Sequence, residues 1–343
     1  MAKTDAQVAI IGAGPIGIEL AVALKKAGLD YLHFEGKQIG YTISWFAPQT
    51  RFFSSNERIA IAGVPLVTID QSKCTREQYL AYLHGVVMQF ELKIRAFEPV
   101  TEIRREGGRF LLTTHTRGGE ARYGVEKVVL ATGGTAKPRR LNIPGEDLPH
   151  VSHYFSSPYE YFKQRLLIVG GKNSAVEAAL RALQAGANIT MSYRRAEFDS
   201  ARIKYWLWPE ISGLIKSGRI KVYFNSRPVE IRPDRVILEQ EGAGRIEVPA
   251  DFVLALIGYE ADMTLCRQAG VELIAPGQTP RFDINTMETN VPGLYVAGTA
   301  TAGTQDRFAV FIENCHVHVE RIVASLTGHS PPPAPAPVER PES

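Results

Sequence analysis

The chain has 343 residues, enough for about two domains at roughly 150 residues each. Hydrophobic residues make up 45% and charged residues 22%, the mix of a folded globular protein, which excludes a disordered chain or a small disulfide-held scaffold. Lys and Arg number 39 against 36 Asp and Glu, so the net charge of +3 gives no clustered basic footprint for nucleic acid.

Residues 7–11 form a short apolar run ending in glycines, as a strand buried on both faces of a parallel sheet would. A helix is expected over 15–27, with Ile16, Leu20 and Leu24 on one face and Gly28 as its stop, and a second strand over 31–34 closes a βαβ unit. The apolar N-terminal stretch is interrupted by Gly12, Gly14, Pro15, Gly17 and Glu19, so it reads as strand, turn and helix rather than a signal peptide. No run of 18 apolar residues is present elsewhere, and no membrane span is expected. Residues 45–55 are aromatic and aperiodic, a covering loop, and 77–92 read as helix. Hairpins are expected at 100–104 with 109–114 across Gly107-Gly108, and at 229–232 with 235–239 across Pro233-Asp234.

The first organisation recurs. Residues 165–169 are a strand, Gly170-Gly171 a turn, 173–185 a helix closed by Gly186, and 189–193 the next strand. Each unit is followed by a hairpin and an apolar strand, 127–131 ending in Thr132-Gly133-Gly134 and 252–257 ending in Gly258. Residues 136–145 are the expected first crossing between domains; 293–297 add a strand and 308–326 a helix. Six prolines from Pro331 onward make 331–343 a solvated, disordered tail.

Gly12-Ala13-Gly14-Pro15-Ile16-Gly17 is a GxGxxG between strand and helix, with Glu35 at the end of the next strand, 23 residues after Gly12. In that context the glycines serve a tight turn, approach of a pyrophosphate, and helix–strand packing, and the helix N-terminus offers free N–H groups to phosphate. Glu35 is placed to accept a ribose hydroxyl. The second turn, Gly170-Gly171-Lys172-Asn173-Ser174-Ala175, is a GxGxxA with Lys172 in place of the middle glycine. Its second strand ends in Arg194-Arg195 where the first unit has an acid, and arginine pairs with a 2′-phosphate that a carboxylate would repel, which argues for NADPH over NADH. Two dinucleotide sites without a proton-shuttling constellation place the chemistry on a bound cofactor.

These motifs, with Ala131-Thr132-Gly133, Gly258 and Gly293-Leu294-Tyr295-Val296-Ala297-Gly298, occur in the order of the two-dinucleotide-binding-domain flavoproteins of the thioredoxin reductase type. Thr50-Arg51-Phe52-Phe53-Ser54-Ser55, the stretch from Gly170 to Ala179 with Lys172, Met287-Glu288-Thr289-Asn290-Val291-Pro292, and Phe311-Ile312-Glu313-Asn314 resemble the bacillithiol disulfide reductase (YpdA) family more specifically, over about residues 5 to 326. The resemblance implies an α/β fold of two Rossmann-like domains of three-layer ββα type. The FAD domain would take residues 1–137 and 261–330, with an NADPH domain of 138–260 inserted. FAD would lie along Gly12, Gly14, Pro15, Gly17, Glu35, Phe53, Ser54, Thr132, Gly133, Gly298 and Asn314. NADPH would lie along Gly170, Lys172, Asn173, Ser174, Ala175, Glu177, Arg194, Arg195 and Gly258.

The implied reaction is hydride transfer from NADPH to FAD and electron delivery to an acceptor, a low-molecular-weight thiol disulfide such as bacillithiol disulfide. Alternatives are a ferredoxin or flavodoxin reductase with a small redox protein as acceptor, a flavin monooxygenase, and a flavin-bound redox sensor. The monooxygenase string FxGxxxH is only approximated, by Gly145 and His150. A cytoplasmic homo-oligomer is expected, since Cys74, Cys266 and Cys315 form neither a CxxC nor a secretory framework. No metal set is seen: His316 and His318, two apart on a helix, point to different faces.

Two departures from the resemblance bear on mechanism. Ile16 stands where related chains carry a cysteine beside the flavin, and Thr299 stands where thioredoxin reductases place Asp. Cys315 is the one thiol placed to supply the missing cysteine, but it shares an apolar helical stripe with Phe311, Val319, Val323 and Leu326, the setting of an inert buried cysteine. The sequence assigns no residue a catalytic role, and it leaves Trp206 and Trp208 open between core and a surface over the nicotinamide.

Overall fold

A computed structural model describes residues 4–306 and 309–330; the tail expected over 331–343 lies outside the described residues. In chain order the principal elements begin with β1 (Thr4–Ile11), α1 (Pro15–Lys26), β2 (Tyr31–Phe34), α2 (Arg76–Gln89), β3 (Ile94–Arg95), β4 (Val100–Glu106), β5 (Arg109–Thr116) and β6 (Gly119–Leu130). They continue with β7 (Val151–Ser152), β8 (Arg165–Val169), α3 (Asn173–Gln184), β9 (Asn188–Ser192), α4 (Trp208–Lys216), β10 (Lys221–Tyr223), β11 (Ser226–Arg232), β12 (Arg235–Gln240), β13 (Gly244–Pro249) and β14 (Phe252–Ala255). The last two are β15 (Leu294–Val296) and α5 (His316–Thr327).

The chain forms two compact units. Among the described residues the first holds 4–44, 54–137, 260–306 and 309–330, and the second holds 45–53 and 138–259. The loop 45–53, expected in the first domain, therefore counts with the second unit.

In the first unit β3, β2, β1, β6 and β15 run parallel, with β1 paired to β2 on one side and β6 on the other. β6 is twice the expected length. Its first half pairs antiparallel with β5, and β5 with β4, so one strand belongs to both the parallel sheet and an antiparallel layer. That first half, Gly-Glu-Ala-Arg-Tyr-Gly, is too polar to read as a strand; its ladder with β5 overrides the weak propensity. Between the two layers Ala9, Ile11, Phe34, Val128, Leu130 and Val296 meet Ile103, Phe110 and Leu112. α1 starts at Pro15 in the first helical position, ends with Lys25 and Lys26 on its negative dipole end, and buries Ile16, Ile18, Leu20, Ala21, Val22 and Leu24, a wider face than a single stripe. α2 is opened by a capping box of Thr75 and Gln78.

The second unit repeats the plan. Its all-parallel sheet has the order β10-β9-β8-β14-β7, with α3 packing Ala175, Val176, Ala179 and Ala182 on one face over Leu166, Ile168, Ile189 and Met191. On the other face Leu167, Val169 and Val253 meet Val236, Leu238 and Val248 of the antiparallel sheet β11-β12-β13. Both units are thus three-layered, helix, parallel sheet and antiparallel sheet, as the α/β expectation required.

One expected element is corrected. The last helix begins at His316, not 308, after a 3-10 turn at Ile312–Asn314, and Arg307 and Phe308 lie outside the described residues. The Asn314 side chain causes the delay: its Oδ1 accepts the Phe311 N–H at 2.9 Å and its Nδ2 donates to the Ala309 carbonyl at 2.7 Å, offering the backbone partners other than a helix. Phe311 therefore is not on the helical stripe that holds Val319.

Each unit has its own core, and each should respond to its own truncation. Leu112→Ala and Ile168→Ala remove side chains fully buried in the first and second core, and each should destabilise its unit by about 2–5 kcal/mol. Calorimetry of the two variants checks this, and a loss below about 1 kcal/mol in either contradicts the packing.

Candidate functional site

In each unit the glycine turn lies where the strand order reverses, between β1 and β6 in the first and between β8 and β14 in the second, the crevice where open parallel sheets bind ligands. The three glycines of the first turn have distinct physical reasons. Gly12 has φ +110°, and a Cβ there would sit 2.4 Å from the Ala131 carbonyl oxygen. A Cβ on Gly17 would sit 2.0 Å from the Gly12 carbonyl oxygen, so helix and strand approach too closely for any side chain. Gly14 differs: its φ is −78° and nothing lies within 4 Å of where its Cβ would be. Neither conformation nor packing asks for glycine at 14, and the space it leaves faces the N-terminus of α1, whose first N–H groups lack intrahelical acceptors.

His33, which the sequence reading passed over, underpins this turn. Its imidazole is fully buried, with Nε2 2.9 Å from the Gly12 carbonyl. Burial pulls it down to about 4, against the opposing pull of that carbonyl, so the ring is neutral at pH 7 and Nε2 carries the proton it donates. The signal was a histidine within the apolar run Tyr-Leu-His-Phe of β2. Glu35 uses one oxygen to accept the Ala13 N–H and the other the Lys37 N–H, both at 2.8 Å. Its remaining lone pairs suit a hydroxyl donor.

At the ends of β6 and β15 the Thr132-Gly133-Gly134 turn meets Gly298-Thr299. The Gly134 N–H donates to Thr299 Oγ1 at 2.9 Å, so this threonine serves the chain itself. Gly298 approaches Ile16 so closely that a Cβ would lie 3.3 Å from Ile16 Cβ, and its N–H donates to His318 Nδ1 at 3.2 Å. Gly12, Gly14, Pro15, Gly17, Glu35, Thr132, Gly133 and Gly298 thus gather at one end of the sheet. Asn314 precedes α5, and Ser54 is buried in the same unit. Phe53 does not join them: it counts with the second unit, where its ring stacks on Trp206 at 6.1 Å.

In the second unit a Cβ on Gly170 would meet the Leu256 carbonyl oxygen at 2.4 Å and Ala175 Cβ at 3.1 Å. Gly171 is demanded by the rings of Phe198 and Tyr193, 2.5 and 2.6 Å from its would-be Cβ. Lys172 caps α3 with an extended backbone that any residue adopts, and its side chain is exposed. Ser174 is exposed at the helix start, and Gly258 follows β14 with its carbonyl bonded to the Arg139 N–H. Arg194 and Arg195 follow β9, exposed and without a side-chain partner among the described residues.

Two of the expected ligand groups also make hydrogen bonds within the chain. Asn173 Oδ1 accepts the Lys204 N–H at 2.6 Å. Glu177 accepts the Thr50 hydroxyl at 2.9 Å on one oxygen and Lys204 Nζ at 3.2 Å on the other, while Lys204 Nζ also donates to the Arg51 carbonyl. This network ties 45–53 to the second unit; no sequence signal marked Lys204.

The thiols are all buried. Burial pushes Cys266 up to about 11, and burial followed by the Glu19 charge pushes Cys315 well above the ordinary thiol range, so neither is a nucleophile at neutral pH. Among the described residues no cluster of His, Cys, Asp or Glu could hold a metal, and no helix is long and apolar enough to cross a membrane.

A profile of the pyridine nucleotide-disulphide oxidoreductase family matches residues 9–298. Bacilliredoxin reductase of Bacillus subtilis is 35% identical over 318 residues, 92% of this chain and 96% of its own length. A ferredoxin–NADP reductase of Ignicoccus hospitalis is 27% identical over 302 residues, 85% of this chain and 89% of its own. The solved bacillithiol disulfide reductase of Bacillus cereus superposes with a TM-score of 0.90 at 33% identity, over 94% of this chain and 99% of that one.

The contrast between Gly14 and Gly12 can be measured. Gly14→Ala should cost at most about 1 kcal/mol, the difference at a helix N-cap, while lowering the flavin content of the purified protein at least about tenfold. Gly12→Ala, at positive φ against a backbone oxygen, should instead lower the unfolding midpoint with or without flavin. Equal stability losses for the two, by thermal unfolding, would contradict the assignment of Gly14 to a ligand.

Proposed function

The chain belongs to the pyridine nucleotide-disulphide oxidoreductase family, in its bacillithiol disulfide reductase branch, and from that premise we propose that it reduces a low-molecular-weight thiol disulfide such as bacillithiol disulfide. It is a flavoprotein oxidoreductase that uses FAD and NADPH. The observation that carries the two-site reading is the paired glycine turns at two switch points, one leaving space at Gly14 that the protein does not fill. In the first unit Gly14 and the first turn of α1 would hold the FAD pyrophosphate, Glu35 a ribose hydroxyl, and Ser54, Thr132, Gly133, Gly298 and Asn314 the rest. The second holds NADPH along Gly170, Lys172, Ser174, Ala175 and Gly258, with Arg194 and Arg195 on the 2′-phosphate.

FAD supplies the two-electron relay: NADPH, a proton and one disulfide give NADP⁺ and two thiols. The residues bind and orient. His33 fixes the carbonyl of the phosphate turn, Ile16 fills the space against Gly298, and no thiol of the chain takes part, since all three are buried. The disulfide is therefore reduced without a mixed disulfide to this protein. A protein acceptor is the second reading, favoured by the same absence of a reactive thiol and by the ferredoxin reductase relatives. We place the enzyme in the cytoplasm, where its cysteines stay reduced, as a homo-oligomer; sedimentation at the mass of one chain would refute the oligomer.

An anaerobic visible spectrum tests the reading. Flavin bands that bleach with NADPH and return with bacillithiol disulfide support it; bleaching that only a ferredoxin or flavodoxin reverses selects the second reading; a protein that takes no FAD rejects both. Arg194→Ala with Arg195→Ala should raise the NADPH KM at least about tenfold while leaving that for NADH within about twofold, because only NADPH carries the 2′-phosphate. Equal changes for the two would reject the arginine assignment.

A further inference from the structure

Two residues past Gly17, Glu19 of α1 reaches His316, the first residue of α5, through a short contact of 2.7 Å from Nδ1 to Oε2. The other ring nitrogen, Nε2, lies 2.9 Å from the Arg58 carbonyl oxygen. Both partners are acceptors, so the ring satisfies both only as an imidazolium, with a proton on each nitrogen. The second Glu19 oxygen accepts the Ala62 N–H at 3.2 Å. One carboxylate and one imidazolium thereby join the phosphate-turn helix, the 56–62 segment and the start of α5, next to Asn314 and Cys315. No step of the proposed reaction uses either residue.

We propose that Glu19 and His316 are a positioning couple: as a closed ion pair they hold the Asn314-Cys315 segment against α1, and loss of the second imidazole proton releases that segment and weakens FAD retention. The inference rests on the reading that Asn314 lies along FAD. Burial alone would lower His316, but the Glu19 carboxylate, then the Arg58 carbonyl, outweigh it and hold the imidazole above its ordinary range. The charged and titratable groups around it are Glu19 on α1, His318 and Glu320 on α5, Arg58 after it in the 56–59 turn, and Tyr79, Tyr82 and Cys315 beside the carboxylate. Tyr79, Tyr82 and Cys315 are each pushed upward, first by burial, and stay protonated through neutral pH; His318 is pulled down to about 4 and stays neutral. A folded-state pKa above the unfolded one gives stability that is complete below the ordinary histidine value and lost as pH rises through the folded value.

The test follows the FAD-loaded and FAD-stripped chain from pH 6 to pH 9, reading the unfolding midpoint, the FAD Kd by fluorescence, and the His316 ring titration by NMR. The wild type should lose unfolding temperature and about tenfold in FAD affinity as pH rises past about 6.5. His316→Gln should be nearly flat with pH and already weak, and Glu19→Gln should bring the His316 titration down toward about 6.5. Parallel pH profiles of wild type and His316→Gln, or a His316 titration at or below about 6.5 in the wild type, overturn the proposal, and the latter requires no variant to fold. A chain that takes no FAD at all overturns the functional reading and the positioning role with it; FAD bound with unchanged affinity in His316→Gln overturns only the positioning role.

Discussion

The first unit depends on the placement of the Gly12 carbonyl. Its oxygen accepts from a buried histidine at 2.9 Å, while the Cα of Gly17 approaches it so closely that a methyl group would overlap it. The Ala131 carbonyl closes the opposite side, and the Gly12 N–H donates to the Phe34 carbonyl at 2.8 Å. These contacts come from β2, α1 and the end of β6, so the three elements that flank the switch point all meet at one residue, Gly12. Moving β2 breaks the His33 hydrogen bond to the Gly12 carbonyl, which costs on the order of 1–3 kcal/mol when left unpaired. The helix N-terminus is therefore held in place before any phosphate arrives, which is the condition for binding it without an ordering penalty.

The second turn repeats the geometry under looser demands. Gly170 has the same close approach to a neighbouring carbonyl, but Ala175 suffices where the first turn needs Gly17, and Lys172 sits where Gly14 sits. Gly171 answers to Phe198 and Tyr193 rather than to a ligand. The first turn leaves its middle position empty to the solvent side, whereas the second places a cation there. A lysine at a helix N-terminus opposes the dipole and has use only where an anion neutralises both.

Much of this could be read from the residues. β2 and β8 match their expected bounds to the residue, because each is a short apolar run between turn residues, and both glycine turns were placed correctly between strand and helix. What stayed hidden depends on partners distant in sequence. The polar half of β6 is a strand only because β5 lies beside it, and β13 only because β12 does. The late start of α5 follows from one asparagine side chain taking the backbone groups of Ala309 and Phe311. Glu177 and Asn173 stand at ligand positions by motif, and each also accepts hydrogen bonds from Thr50 or Lys204, far from both in sequence. Motif position locates a residue on a turn; it does not say whether the chain has already used its hydrogen bonds.

His316 and His318 show how completely partners decide chemistry. They are two residues apart, on one helix, in one unit. His316 faces two acceptors and needs both protons, while His318 must present a bare Nδ1 to the Gly298 N–H and has Arg321 as a charged neighbour. Protonating His318 would set a donor against the Gly298 N–H donor; deprotonating His316 would set a lone pair against an acceptor at Glu19 or Arg58. The two histidines thus need opposite protonation states, His316 to meet Glu19 and the Arg58 carbonyl, His318 to accept the Gly298 N–H. His33 and His318 are both pulled down to about 4, first by burial, whereas His316 is held above its ordinary range, so the imidazoles that contact the backbone of the first unit titrate on opposite sides of the ordinary histidine value.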